Sequence, residues 1–236
     1  MSRARLCPVI VMLSLIVPFL TACTNEQGAP RTPAPAPDLS LTLPEPRLRS
    51  EVSVEEALLK RRSVREYGNA PLTLEEVSQL LWAAQGITSE WGGRTAPSAG
   101  ALYPLEIYIA AGNVENLSPG VYKYNPERHE LIKVRDDDAR EELAEAALSQ
   151  VWVKEGAIDI VIAAVYGRTS KKYGDRGVRY VHMEAGHAAQ NIYLQAATLD
   201  LGMVTVGAFH DDRVKEIMSM PEDEIPLYLI PVGRKG

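Results

Sequence analysis

Three guanidinium groups and a hydroxyl fall within five residues at Arg61-Arg62-Ser63-Val64-Arg65. Arginine presents planar, paired donors that match phosphate oxygens, so a cluster this dense is suited to hold an anion. A solvated basic turn is the alternative that the same residues allow. A second basic group stands at Gly233-Arg234-Lys235. Neither belongs to a glycine-rich phosphate loop: the chain has no G-x-G-x-x-G and no Walker A pattern, which argues against a Rossmann or P-loop site. His182 and His187 flank Glu184. Five residues turn a helix by about 140°, so the two rings diverge, and the spacing is not H-E-x-x-H; no metal is expected. Lys171, Lys172, Asp175 and Arg176 read by themselves as a charged surface loop. Gln190 and Asn191 read as satisfied structural polar groups. Trp82, Trp91 and Trp152 read as core or rim aromatics, with Trp91 the one placed to line an entrance.

The elements that must position these groups are marked by local signals. Ser53 with Glu56 forms a capping signature that opens a helix over 54–60, and Thr73 with Glu76 opens an amphipathic helix over 74–85. A long Gly- and Ser-rich loop follows to residue 100. Strands are predicted at 105–111, 121–124 and 130–134, the last two around a turn at Asn125-Pro126. A helix over 136–150 and a continuous apolar run at 158–166 come next; such a run marks a strand buried on both faces. Residues 178–199 form the longest helical stretch, apolar nearly all round, which predicts burial in a core or an interface. A strand and turn at 202–209, a short helix at 211–218 and a strand at 225–232 complete an α+β domain around a sheet.

Residues 1–22 read as a targeting signal. Arg3 and Arg5 give a positive start, and 9–20 is apolar apart from Ser14 and Pro18. That run is shorter than the roughly 20 residues that span a bilayer. Leu20-Thr21-Ala22-Cys23 resembles the bacterial lipobox, which implies cleavage before Cys23 and its acylation; a plain secretory signal with a chance cysteine is the alternative. Residues 24–50 hold six prolines, including Pro33-Ala34-Pro35-Ala36-Pro37, and read as a semi-rigid tether that does not pack. The expected organisation is a signal at 1–22, a lipidated cysteine and linker at 23–50, and a globular domain at 51–236 held outside the cytoplasm on the cell or outer membrane. Cys7 leaves with the leader and Cys23 carries lipid, so the domain has no thiol for a disulfide or a metal. The 236 residues are 46% hydrophobic, enough for a sizeable core, and carry a net charge of -6. From Cys23 onward the balance is 23 basic to 31 acidic residues, net -8, which argues against a nucleic-acid partner.

Five segments in order resemble the FMN-dependent nitroreductase family over residues 54–236: Arg61 to Arg65; Pro97-Ser98-Ala99-Gly100-Ala101 with Tyr103-Pro104; Glu184 to Asn191; Gly207-Ala208-Phe209; and Pro231-Val232-Gly233-Arg234. The resemblance implies a mixed, mainly antiparallel sheet packed by helices, a long central dimer helix, a homodimer, and one FMN per subunit. It implies that Arg61, Ser63 and Arg234 hold the FMN phosphate and ribityl chain, with Arg62 and Gly233 also in the cofactor site. It places Arg65 by N1 and O2 of the ring, where a cation favours the reduced, anionic flavin. Pro97, Ser98, Ala99 and Ala101 would come from the partner subunit, and Gly207 and Ala208 would let backbone approach the ring. Ala101 and Tyr103 depart from the family's Asn and Gln, so a flavin hydrogen bond made there does not carry over.

Pro97-Ser98-Ala99-Gly100-Ala101-Leu102-Tyr103-Pro104, Lys172-Tyr173-Gly174 and Arg179-Tyr180 resemble in particular the azoline-oxidising (SagB-type) dehydrogenases, which oxidise thiazolines and oxazolines in peptides. That likeness implies a Lys172–Tyr173 pair that removes the substrate proton. The expected activity is ping-pong hydride transfer through flavin N5 on a small-molecule or peptide substrate. A lipid-anchored flavin-binding module without primary catalysis is the alternative. The expected location disfavours NAD(P)H, a cytoplasmic reductant, and favours oxygen or a quinone as electron acceptor.

Overall fold

The computed structural model describes residues 39–236; Cys23, the leader and the proline run lie outside the described residues. Among these, the strands are β1 (Ser40–Thr42), β2 (Tyr67–Gly68), β3 (Leu105–Ala111), β4 (Gly120–Asn125), β5 (Glu130–Arg135), β6 (Ile158–Ala164), β7 (Leu201–Met203) and β8 (Ile225–Lys235). The helices are α1 (Val54–Lys60), α2 (Leu74–Gln85), α3 (Arg140–Ala146), α4 (Val151–Glu155), α5 (Tyr166–Tyr173), α6 (Arg176–Thr198) and α7 (Asp211–Ile217). One sheet runs β1-β5-β4-β3-β6-β8-β2, with β7 beside β8. The strand pairings are antiparallel throughout.

The apolar run of β6 alternates between two cores. Ile158, Ile160 and Ile162 pack with Leu80 and Leu81 of α2 and with Val181, Ala188 and Ile192 of α6. Val161 faces the other way, against Leu143 of α3, Val153 of α4 and Val214 of α7. Each fully buried aliphatic side chain contributes about 1.5–3 kcal/mol. The capping signatures act as read. Glu56 N–H donates to the Ser53 hydroxyl at 3.1 Å, and Thr73 and Glu76 exchange both bonds of a capping box.

Three expectations are corrected, and a fourth, burial of α6 in a core or an interface, is met only in part within one chain. The tether does not run to Ser50. Ser40 to Thr42 pair with β5, Leu43 is 3% exposed, and Arg47 exchanges hydrogen bonds with the Gln79 side chain, so at least residues 40–47 belong to the domain. Proline content hid this, because the alternation of so short an edge strand gives little signal. The helix over 136–150 is two pieces, α3 and α4. Leu148 and Ser149 both adopt left-handed φ (59° and 60°), which breaks the ladder. Lys172 and Tyr173 end a helix, α5, closed by Gly174 at φ 56°, where a surface loop was the alternative reading. Last, α6 is not covered all round within one chain. Val181, Ala185 and Ile192 are buried, whereas Val178 and Met183 are 41% and 52% exposed.

Asp159 on β6 is fully buried, and neither carboxyl oxygen has a partner among the described residues. Burial pushes its carboxyl well above the usual carboxylate range, against the pull of Arg140. A folded-state pKa raised above the unfolded one gives stability that is present in acid and lost as pH rises through the folded value. Asp159→Asn is therefore expected to flatten that loss and to raise unfolding free energy at pH 8 by about 1–3 kcal/mol relative to wild type. Urea unfolding at pH 5 and pH 8 checks it; equal slopes for both proteins would refute it.

Candidate functional site

The arginine turn begins where α1 ends. Arg61 is the C-cap of α1, its N–H bonding the Ala57 carbonyl at 2.9 Å, and the chain then leaves the helix extended. Val64 N–H bonds the Met203 carbonyl of β7 at 2.9 Å, and Tyr67 donates to the Val64 carbonyl at 2.8 Å. Gly202 permits this close approach: a Cβ there would stand 2.7 Å from Val64 Cγ1.

Ion pairs among the described residues engage Lys60, Lys123, Arg140, Arg234 and Lys235, but not Arg61, Arg62 or Arg65. Arg61 lies 5.1 Å from the centroid of the Tyr193 ring. Arg62 donates to the carbonyls of Leu59 and Arg61. Together with Lys60 and Lys235 they line a cleft of about 210 Å³ floored by Tyr193 and Ala196, and no acidic residue lines it. Lys60 and Lys235 already pair with Glu56 and Asp200, so Arg61 and Arg62 are the lining cations left for an anion such as a phosphate monoester. A cleft of about 750 Å³ lies elsewhere, but Glu66, Asp138, Glu141 and Glu155 line it, which does not suit an anion.

Tyr193, buried on α6, is the hub of this cleft, and the residue types around it gave no sign of that. Its hydroxyl accepts Thr205 N–H at 3.1 Å and pairs with Ser63 Oγ at 3.1 Å. It thus ties the arginine turn to the segment carrying Gly207 and Ala208, which are both exposed. Trp152 of α4 is the second unforeseen member: Arg65 lies 5.6 Å from the centroid of its ring. Gln150, the N-cap of α4, donates to the Ala208 carbonyl at 3.0 Å. Arg65 and Ala208 therefore converge on the start of α4.

Gly233 and Arg234, expected at the phosphate, do not line this cleft. Arg234 pairs with Glu76 through both terminal nitrogens (2.6 and 2.8 Å) and donates to the Pro71 carbonyl. Gly233 lies under the Tyr67 ring, where a Cβ would stand 3.1 Å from its atoms. Strand alternation explains the outcome. Residues 234 and 235 face opposite sides of β8, and it is Lys235 that lines the cleft.

A second group of residues gathers at the other end of α6. Gly100, at φ 66°, leaves room for Tyr173 and Lys172: a Cβ there would lie 2.7 Å from Tyr173 Oη and 2.9 Å from Lys172 Nζ. Tyr173 meets Tyr180 of α6 edge to face at 5.1 Å. The segment from Pro97 to Pro104 is tied to α5, since Arg168 donates to the Tyr103 carbonyl at 3.0 Å and Val165 N–H to the Pro104 carbonyl at 2.8 Å. Pro97, Ser98, Ala99, Ala101, Lys172 and Tyr173 thus form one cluster. Arg61, Arg62, Ser63, Arg65, Gly207 and Ala208 form the other. On α6 the two are marked by Tyr180 and Tyr193, whose separation at 1.5 Å per residue is about 20 Å.

A sheet of antiparallel strands with helices on both faces, a long central helix and a cleft lined by basic residues make up an α+β fold with a candidate anion site. Residues 58–234 match the Nitroreductase family, and the chain belongs to it. It is 54% identical over 185 residues to a nitroreductase homologue of Methanocaldococcus jannaschii, covering 78% of this chain and 92% of that one. A trifolitoxin operon protein of Rhizobium leguminosarum is 28% identical over 195 residues, covering 75% of this chain and 54% of the other. The NADPH-flavin oxidoreductase of Vibrio harveyi is 24% identical over 186 residues, covering 75% and 64%. Among solved structures, a nitroreductase from Ralstonia eutropha superposes with a TM-score of 0.74 at 33% identity, covering 84% of this chain and 90% of that one.

Proposed function

We propose that this protein is an FMN-dependent oxidoreductase of the azoline-oxidising type, acting as a homodimer whose sites each draw on two chains. The observation that carries the reading is the pair of half-sites at opposite ends of α6. The phosphate cleft and the Lys172–Tyr173 pair of one chain stand too far apart to serve one flavin ring, whereas a two-fold partner can bring one of each together. Apolar side chains left uncovered on α6 and α1, among them Met183, Leu58 and Leu59, supply surface for that contact.

Bound here, FMN would supply two-electron redox chemistry between a substrate and an acceptor. The chain supplies the rest. Arg61, Arg62 and Lys235 would hold the phosphate, Ser63 the ribityl chain, and Gly207 and Ala208 would offer open backbone to the ring. Oxidising an azoline to an azole removes a proton along with the hydride, and Lys172 with Tyr173 is placed on the partner's side to take it. The relative from a trifolitoxin operon supports a place for this chain in natural-product chemistry. Attachment to a membrane through Cys23 remains part of the proposal, and it implies oxygen or a quinone as electron acceptor.

Anaerobic addition of donors to FMN-loaded protein tests the reading. An azoline peptide is expected to bleach the flavin, and NAD(P)H to do so slowly or not at all. Bleaching by NAD(P)H alone would overturn the dehydrogenase assignment in favour of a nitroreductase.

Arg65 makes a separate expectation. Its charge stabilises the ring only after reduction, whereas the phosphate is charged in both states. A charge-assisted contact of about 1.5–3 kcal/mol, at about 30 mV per 1.4 kcal/mol, gives a drop of tens of millivolts in Arg65→Ala. Arg65 is exposed, so solvent screening places the value toward the low end. Dye equilibration measures it, and an unchanged potential would refute the assignment.

A further inference from the structure

Arg94 is a part-buried cation without a carboxylate partner. Ion pairs among the described residues engage its neighbours Lys123 and Arg168, but not Arg94 itself. Its Nη1 donates to Gln85 Oε1 of α2 at 2.9 Å, and its buried Nε has no partner among the described residues. Glu106 and Glu184 act on it only as charges beyond ion-pair distance. Gln85 is 1% exposed, and its Nε2 is likewise a donor without a partner among the described residues. Buried donors left unpaired are costly, and apolar packing gives no reason to keep them.

Both residues line a cavity of about 500 Å³ where β3 begins and β4 ends, a size that suits a small ligand. Lys123 and Arg168 line it too, but each is already committed. Lys123 pairs with Glu106 at 3.0 Å and with Glu224 at 2.6 Å, and Arg168 pairs with Glu106. Glu127 lines the cavity and is exposed, and it pairs with no cation among the described residues. The donors left over are those of Arg94 and Gln85, and donors that include a cation call for an acceptor with negative charge. Arg94 is held ready for one. Its guanidinium stacks on the Tyr103 ring at 4.6 Å, and its backbone N–H donates to the Tyr103 hydroxyl at 3.2 Å. A planar fork fixed in advance loses little freedom when it takes a carboxylate.

The cavity adjoins the Lys172–Tyr173 cluster. Tyr103 N–H bonds Ser98 Oγ at 2.9 Å, within the segment whose Gly100 lies against Lys172 and Tyr173. Arg168 lines the cavity and donates to the Tyr103 carbonyl at 3.0 Å. It precedes Lys172 by one turn of α5, a rise of about 6 Å along one helix face.

We propose that this cavity is an anion subsite for the substrate, in which Arg94, braced by Gln85 and Tyr103, takes a carboxylate. The proposal rests on the reading of the Lys172–Tyr173 pair as the group that removes the substrate proton. It names the substrate class of that same site: a peptide with an acid group close to the ring that is oxidised. The acid is either an Asp or Glu side chain or the C-terminal carboxylate, which present the same two oxygens to the guanidinium. Arg94 selects the substrate and takes no part in proton removal.

Calorimetric titration of FMN-loaded protein tests this by binding alone. The probes are N-acetyl-Ala-Ala with a free C-terminal carboxylate, N-acetyl-Ala-Asp amide, and the neutral N-acetyl-Ala-Ala amide. At least one acid peptide is expected to bind about tenfold or more tightly than the neutral one, as a hydrogen bond to a charged group allows. Whichever acid peptide is preferred identifies the source of the carboxylate. Arg94→Gln should remove the preference, whereas Arg213→Gln, at an exposed arginine of α7, should keep it. Equal binding of all three peptides by wild type, or a preference that survives Arg94→Gln, overturns the proposal. Should Arg94→Gln not fold, Arg94→Lys decides: an ammonium lacks the fork, so the preference must fall by about threefold or more. Failure of the underlying reading shows elsewhere: a Lys172→Ala enzyme that turns over normally removes the proton-removing role and leaves the peptide preference intact.

Discussion

Arg61→Ala is expected to lose FMN at concentrations that saturate wild type. Its guanidinium lines the cleft with Arg62 and Lys235, has no carboxylate partner among the described residues, and is set by the end of α1. A hydrogen bond to a charged group is worth about 1.5–3 kcal/mol, which at 1.4 kcal/mol per tenfold weakens binding by about 10- to 150-fold. Arg234→Ala should behave in the opposite way. It leaves Glu76 without its partner, so the fold loses about 1–3 kcal/mol, discounted from a fully buried pair because Arg234 is part exposed, while FMN affinity holds. Flavin fluorescence titration and urea unfolding of the two variants measure the contrast. An Arg234→Ala protein that binds FMN more weakly than Arg61→Ala would return the phosphate role to Arg234.

Lys172→Ala and Tyr173→Phe are expected to slow azoline-driven flavin reduction by about 10²–10⁴-fold, the usual contribution of positioned proton transfer. Neither change touches the phosphate cleft, so FMN content and the rate of reoxidation should stay at wild-type values. Stopped-flow reduction under anaerobic conditions separates these steps. A loss below threefold in both variants would leave the pair as ordinary surface residues at the end of α5.

What could be read from residues alone follows the range of the interactions. The starts of α1 and α2 were legible because Ser53–Glu56 and Thr73–Glu76 are contacts over three residues. The β6 strand was legible because burial on both faces leaves an unbroken apolar run. The Arg61–Arg65 cluster stood out by density of charge. Tyr193 did not, since its partner Ser63 lies 130 residues away and a tyrosine in an apolar helix reads as packing. Trp152 was weighed only as a core or rim aromatic for the same reason. That Lys235 and not Arg234 lines the cleft turns on one step of strand register, which places neighbouring side chains on opposite faces and which composition cannot resolve. The helix α5 was hidden by its charge: Lys171 and Lys172 face solvent, and little apolar periodicity remains in its eight residues.

The claim on which the account turns is that each site is assembled from two chains, and mixing two inactive variants tests it. Arg61→Ala and Tyr173→Phe homodimers each lack one half-site. After the two proteins are unfolded and refolded together, random pairing makes half of the dimers mixed, and each mixed dimer carries one site with Arg61 from one chain and Tyr173 from the other. About a quarter of all sites should then reduce at the wild-type rate. Recovery near that level is the predicted result. If each chain instead built its whole site alone, the mixture would show no more activity than the two homodimers, and the account would be wrong.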